Sequence, residues 1–112
     1  PYDGLFLPRA TYHTGDLYAH DLGFAADGSV WACNTRFSCL ARPSAGYAFE
    51  PVWKPPFVSE LAPEDRCHLN GLAVVDGEPR YVTCLGGTDA VGGWRDRKAD
   101  GGVVMDVRAD AV

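Results

Sequence analysis

The chain carries two copies of one pattern. Residues 20–34, HDLGFAADGSVWACN, align with residues 70–84, NGLAVVDGEPRYVTC, at a displacement of 50. Leu22 then meets Leu72, Gly23 meets Ala73, Phe24 meets Val74 and Trp31 meets Tyr81. A displacement of 49 instead superposes the Asp-Gly pairs, Asp27-Gly28 on Asp76-Gly77. The strand alignment governs. Side chains alternate faces with period two, so a one-residue slip would turn every core residue outward, whereas a turn absorbs an extra residue at little entropic cost. Each copy reads as an apolar strand, an Asp-Gly hairpin turn and a second strand rich in aromatic and β-branched residues.

The first copy continues through RFSCLARP to YAFEPVWKPP, and the second through a glycine-rich loop, GGTDAVGGWRDRKADGG, to GGVVMDV. A unit of three or four strands recurring every ~40–50 residues is the pattern of a β-propeller blade. Prolines at 43, 51, 55, 56 and 63 break the helical windows, since proline removes a backbone donor and clashes with the preceding turn. The expected fold is all-β: about two blades of a β-propeller, built from antiparallel three- to four-stranded sheets. Residues 1–19 would be a strand and connection from a preceding blade, 20–66 the first blade and 67–112 a second, incomplete one. Two blades do not close a propeller and leave bare sheet edges. The expectation is therefore an excerpt of a longer chain, or self-association if this stretch stands alone. A self-contained β-sandwich is the alternative.

Charge narrows the partners. Fifteen acidic against ten basic residues give a net charge of −5, which argues against a nucleic-acid binder. No run approaches the ~18 apolar residues of a membrane span. The four cysteines, at 33, 39, 67 and 84, form no C-x-x-C pair, so zinc-ribbon and thioredoxin chemistry lack their spacing. They read as reduced, buried thiols of a cytoplasmic protein, with a Cys39–Cys67 disulfide as the alternative. No P-loop, dinucleotide fingerprint, nucleophile elbow or H-E-x-x-H motif is present.

The residues with chemistry cluster at the strand starts. At a displacement of 50, His20 and Asn70 are equivalent, and His68, two positions before Asn70, would share its face if the backbone there is extended. Asn70-Gly71 also admits a plain turn reading. An imidazole can move protons near neutral pH or ligate a metal, and strand ends on a rigid scaffold are where ligands are commonly held. His20, His68 and Asn70 are thus the candidate ligand contacts. Arg36 and Trp94 follow: a guanidinium can clamp a carboxylate or phosphate, although Arg36 could equally pair with Glu64 or Asp65. Trp94 stands beside Gly92 and Gly93, which permit hinge conformations. His13 reads as a surface or inter-blade contact.

LPRATYHTGDLYAHDLGF, NTRFSCLA, WKPPFVSELAPEDRCHLNGLAV and GGWRDRKADGGVVMDV together resemble a bacterial family of uncharacterised β-propeller-like proteins, known as a domain of unknown function. That resemblance implies that this is the middle portion of a protein about three times longer, and it implies no reaction. More distantly, NGLAV is similar to a strand entry of the gluconolactonase and strictosidine-synthase-like propellers, where acidic and amide side chains hold a divalent metal. This would make Asp21 and Asn70 metal ligands. The leading expectation is a segment that binds a small molecule or a protein through a polar cluster at the channel end. A metal-dependent lactone or ester hydrolase and a structural interaction propeller are the alternatives.

Overall fold

The structure, a computed structural model, describes residues 1–112. It is all-β, with two antiparallel sheets. The first has the order β1 (Ala19–Phe24), β2 (Val30–Asn34), β3 (Cys39–Arg42), β4 (Glu50–Trp53); the second has β5 (Leu69–Val75), β6 (Glu78–Cys84), β7 (Val103–Asp106). One short 3₁₀ turn, Gly93–Arg97, interrupts the connection from β6 to β7. Residues 1–18 hold no regular element. The two sheets remain open rather than closing on each other.

The two leading hairpins share their register at a displacement of 50. Leu22 pairs with Ala32 and Gly23 with Trp31; Leu72 pairs with Val82 and Ala73 with Tyr81. Even the irregularity coincides. Ala19 pairs with Asn34 and Leu69 with Cys84, and in each hairpin the register slips by one before the next pair. The bulge therefore falls at His20-Asp21 in one strand and at Asn70 in the other.

The turns differ by one residue, and the ladder absorbs it. In the first hairpin Ala25 N–H donates to Ser29 O at 2.9 Å and Gly28, at φ 81°, closes a three-residue loop. In the second, Asp76 (φ 52°) and Gly77 (φ 77°) form a two-residue turn between Val75 and Glu78. Both residues are left-handed, which is the tight turn whose twist matches that of paired strands. The shortfall is made up by a second bulge between Ala73 and Val74, so the compensation lies in the strand and not in the turn alone.

The core forms between the sheets. Cys33 and Leu40 from the first sheet meet Leu69, Val82, Cys84 and Met105 from the second, joined by Val58 and Cys67 from the long connection. Burying a leucine- or valine-sized side chain contributes about 1.5–3 kcal/mol, so these few positions hold the sheets together. All four cysteines are free and buried. Burial pushes the Cys33 and Cys39 thiols up to about 12. Cys84 is raised as well, chiefly by its thiol hydrogen bond with Cys67, whose own thiol the same hydrogen bond lowers.

Along the open edge, β1 and β5 lie face to face. Gly23 permits this, because a Cβ there would stand 2.7 Å from Val74 Cγ2 and 3.5 Å from Leu72 Cδ2. The Asp21 carboxylate spans the same gap, accepting the Leu22 N–H on its own strand and the Leu72 N–H on β5, both at 2.8 Å. Further along, Ala26 N–H donates to Gly77 O at 2.8 Å, tying one hairpin turn to the other. Replacing Gly23 by Val should therefore force the strands apart and cost about 1–3 kcal/mol, the usual penalty of overpacking. Urea unfolding measures this; an unchanged midpoint would mean that the strands do not meet there.

Candidate functional site

Three residues at the mouths of β1 and β5 sit in left-handed backbone: Tyr18 (φ 49°), Asp65 (φ 47°) and His68 (φ 52°). Such geometry is uncommon for residues other than glycine and is sustained only where the surroundings over-determine it. Here it turns side chains from separate loops toward one another. The imidazoles of His20 and His68 meet edge to face with centroids 4.7 Å apart. The His68 ring lies 4.2 Å from that of Trp94.

Asp65 anchors the group. Its Oδ2 accepts from His68 Nδ1 at 2.9 Å and from the Trp94 indole N–H at 3.0 Å, with Arg95 4.0 Å away. A carboxylate only accepts, so in the neutral His68 ring the proton lies on Nδ1 and Nε2 carries the lone pair. His20 reaches the same state by another route. Its Nδ1 lies 2.7 Å from Tyr18 O and 2.9 Å from Thr35 Oγ1. The fully buried Thr35 hydroxyl gives its single proton to Leu69 O at 2.5 Å. Toward His20 it can then only accept, so Nδ1 again carries the proton. Thr35 thus couples the His20 ring to the first residue of β5, next to His68. The result is two adjacent imidazoles, each with Nε2 left as the unengaged ring nitrogen.

A second network fixes the loops that carry these residues. The buried Arg66 guanidinium donates to Glu64 at 2.8 Å, Asp89 at 2.8 Å, Glu60 at 2.7 Å and Ser59 Oγ at 2.9 Å. Gly92 N–H donates to Glu64 O at 3.0 Å, which brings the Trp94 loop onto the Asp65 loop. The Ser59 backbone N–H, and then the Arg66 guanidinium, hold the Asp89 carboxyl down to about 2. Asp89 therefore remains ionised well into acid.

Several expectations meet the geometry differently. His20, His68 and Trp94 converge as a cluster. His68 precedes β5 in left-handed rather than extended backbone, so the argument that it shares a face with Asn70 fails in its premise. Asn70-Gly71 lies inside β5 and is no turn; the Asn70 side-chain oxygen accepts from Thr83 Oγ1 at 2.7 Å. Gly71 is required there because a Cβ would stand 2.4 Å from that same hydroxyl. Arg36 pairs with Asp16 at 2.9 Å, not with Glu64 or Asp65, and lies over the Tyr18 ring. Trp94 is only 8% exposed, packed under Arg95 and beside His68. Asp21 and Asn70 have their side-chain oxygens engaged by Leu22, Leu72 and Thr83, and no group of three or more His, Cys, Asp or Glu is placed to hold a metal ion. The donor set does not fit the expected metal site. Asp65 and Thr35 were the residues that sequence reasoning missed; the D-x-x-H spacing of Asp65 and His68 was the one available signal.

The family described as Domain of unknown function (DUF4915) matches residues 1–112. The chain belongs to this family. No curated protein and no solved structure matches it. No helix is long and apolar enough to cross a membrane.

The Thr35 relay has a clear test. Thr35→Val keeps the side-chain shape but leaves Leu69 O without the hydroxyl donor and His20 Nδ1 with Tyr18 O alone, at a cost of about 1–3 kcal/mol. Thr35→Ser should recover most of that loss. Thermal unfolding of both variants measures it, and equal stability of the Val and Ser forms would contradict the relay.

Proposed function

We propose that this chain is a pair of neighbouring propeller blades whose inner strands carry a small-molecule binding site, with His20 and His68 as the recognition groups. The observation that carries the reading is the imidazole pair itself. Both Nδ1 atoms are held by acceptors within the chain, and neither Nε2 has a partner in it, so each neutral ring offers Nε2 as an acceptor to a ligand. On this reading Asp65, Thr35 and Trp94 position the rings and do not touch the ligand.

The blade assignment is supported by the shared register of the two hairpins, bulge included. It is supported also by what the outer faces expose. Leu22 and Phe24 on one sheet, and Tyr81 and Val104 on the other, point away from the core between the sheets and stay exposed. Further sheets of a propeller would cover such faces. Position 73, equivalent to Gly23, holds a small residue that is likewise exposed, as expected for the approach of a following inner strand.

Binding is favoured over hydrolysis by the surroundings of the imidazoles. The nearest hydroxyl, that of Thr35, is buried and has given its proton to a carbonyl, so it is not poised as a nucleophile. The test is a thermal-shift screen of hydroxylated and carbonyl-bearing metabolites against the wild type and a His20→Ala/His68→Ala variant. Ligands that raise the melting temperature of the wild type should lose that effect in the variant, while the variant itself melts within about 4–8 °C of the wild type, a loss of ~1 kcal/mol. Retention of the full shift, or a variant that no longer folds, would overturn the proposal.

A further inference from the structure

A cleft of about 440 Å³ opens between the two sheets on the hairpin-turn side, away from the imidazoles. Its walls include Trp31 and Trp53 from the first sheet and Pro79 from the second, and its rim includes Asp27, Asp76 and Glu78. The volume lies within the range of small-molecule sites, which pair apolar walls with a few polar groups. Three features of this lining bear on what it can accept.

The lining is of one sign. It contains three carboxylates and no lysine or arginine; Glu78 is paired with Arg108, which leaves Asp27 and Asp76 without a cationic partner. The hydrogen bonds from the Ser29 hydroxyl and backbone N–H keep Asp27 below the ordinary carboxylate range, so it stays charged. The indole N–H groups are also taken: Trp31 donates to Ser29 Oγ at 3.2 Å and Trp53 to Asp110 at 2.7 Å. What the tryptophans offer the cleft is therefore ring surface and not hydrogen bonds. Finally, the Trp31 ring already holds a cation, since the Arg42 guanidinium stands 5.8 Å from its centroid while pairing with Glu50.

From this combination we propose that the inter-sheet cleft binds an organic ammonium ion with an apolar body. Aromatic faces attract a cation through their quadrupole, and desolvation between apolar walls strengthens that attraction. Carboxylates at the rim supply the compensating charge without entering the apolar interior. An anion would meet the like charge of Asp27 and Asp76, and a neutral apolar molecule would leave those two carboxylates unanswered.

The probes are choline, benzyltrimethylammonium and 3,3-dimethylbutan-1-ol, the uncharged isostere of choline, titrated against the protein by calorimetry. Both ammonium ions should bind saturably, and the neutral isostere about tenfold or more weaker than choline. Trp31→Ala should abolish binding; because that change also removes packing, Asp76→Asn is the second variant. Asn-Gly suits the same left-handed turn as Asp-Gly, so the hairpin is kept while one rim charge is lost, and ammonium affinity should fall by about threefold or more. His20→Ala/His68→Ala should bind the ammonium ions as the wild type does, which separates this site from the one at the strand mouths. No saturable binding, equal affinity for the isostere, or an Asp76→Asn variant with unchanged affinity would overturn the proposal.

Discussion

Everything at the open edge depends on how closely β1 approaches β5. Two strands from different sheets can come this near only where a side chain is missing, and Gly23 supplies that gap opposite Leu72 and Val74. Proximity alone would strand backbone donors between the sheets, where an unpaired N–H costs about 1–3 kcal/mol. The Asp21 carboxylate answers this by taking one N–H from each strand. Packing and hydrogen bonding thus agree on one separation. Because the strands are locked along their length, their entrances are brought together, and the imidazoles meet there.

The coupling from strand spacing to site geometry runs through few atoms. Thr35, at the end of β2, reaches across to Leu69 O and back to His20. Asp65 reaches from the long connection to both His68 and Trp94. The Arg66 network holds the two loops together from behind. Left-handed backbone at Tyr18, Asp65 and His68 is the conformational cost of aiming these groups inward. Half of the six non-glycine residues with positive φ lie at this site; the others, Ser38, Asp76 and Asp110, lie in turns, and none lies within a strand.

The strands were legible because their signal is periodic and local. Leu22 with Leu72 and Trp31 with Tyr81 gave the displacement of 50 that the ladders follow. His20 and His68 were legible as candidates because the register put them near strand starts. Their partners were not. Asp65 and Thr35 act through loop conformations that carry no periodicity, and a residue such as His68 at φ 52° defeats any argument from alternating faces. Asn70 shows the same limit in reverse: its place on β5 was read correctly, but its amide was expected at the mouth and instead bonds Thr83 on the adjoining strand. The shorter second turn was visible as the choice between 49 and 50; the bulge at Ala73/Val74 that compensates for it was not, because no residue type marks it.

The most direct test of the account is nuclear magnetic resonance of the two imidazoles in the folded protein near pH 8. Ring-proton cross-relaxation between His20 and His68 should be strong, and long-range proton–nitrogen correlations should place the proton of each neutral ring on Nδ1. Rings without mutual cross-relaxation, or a neutral ring protonated at Nε2, would contradict it, since the strand mouths would then not hold the paired nitrogens on which the proposed site rests.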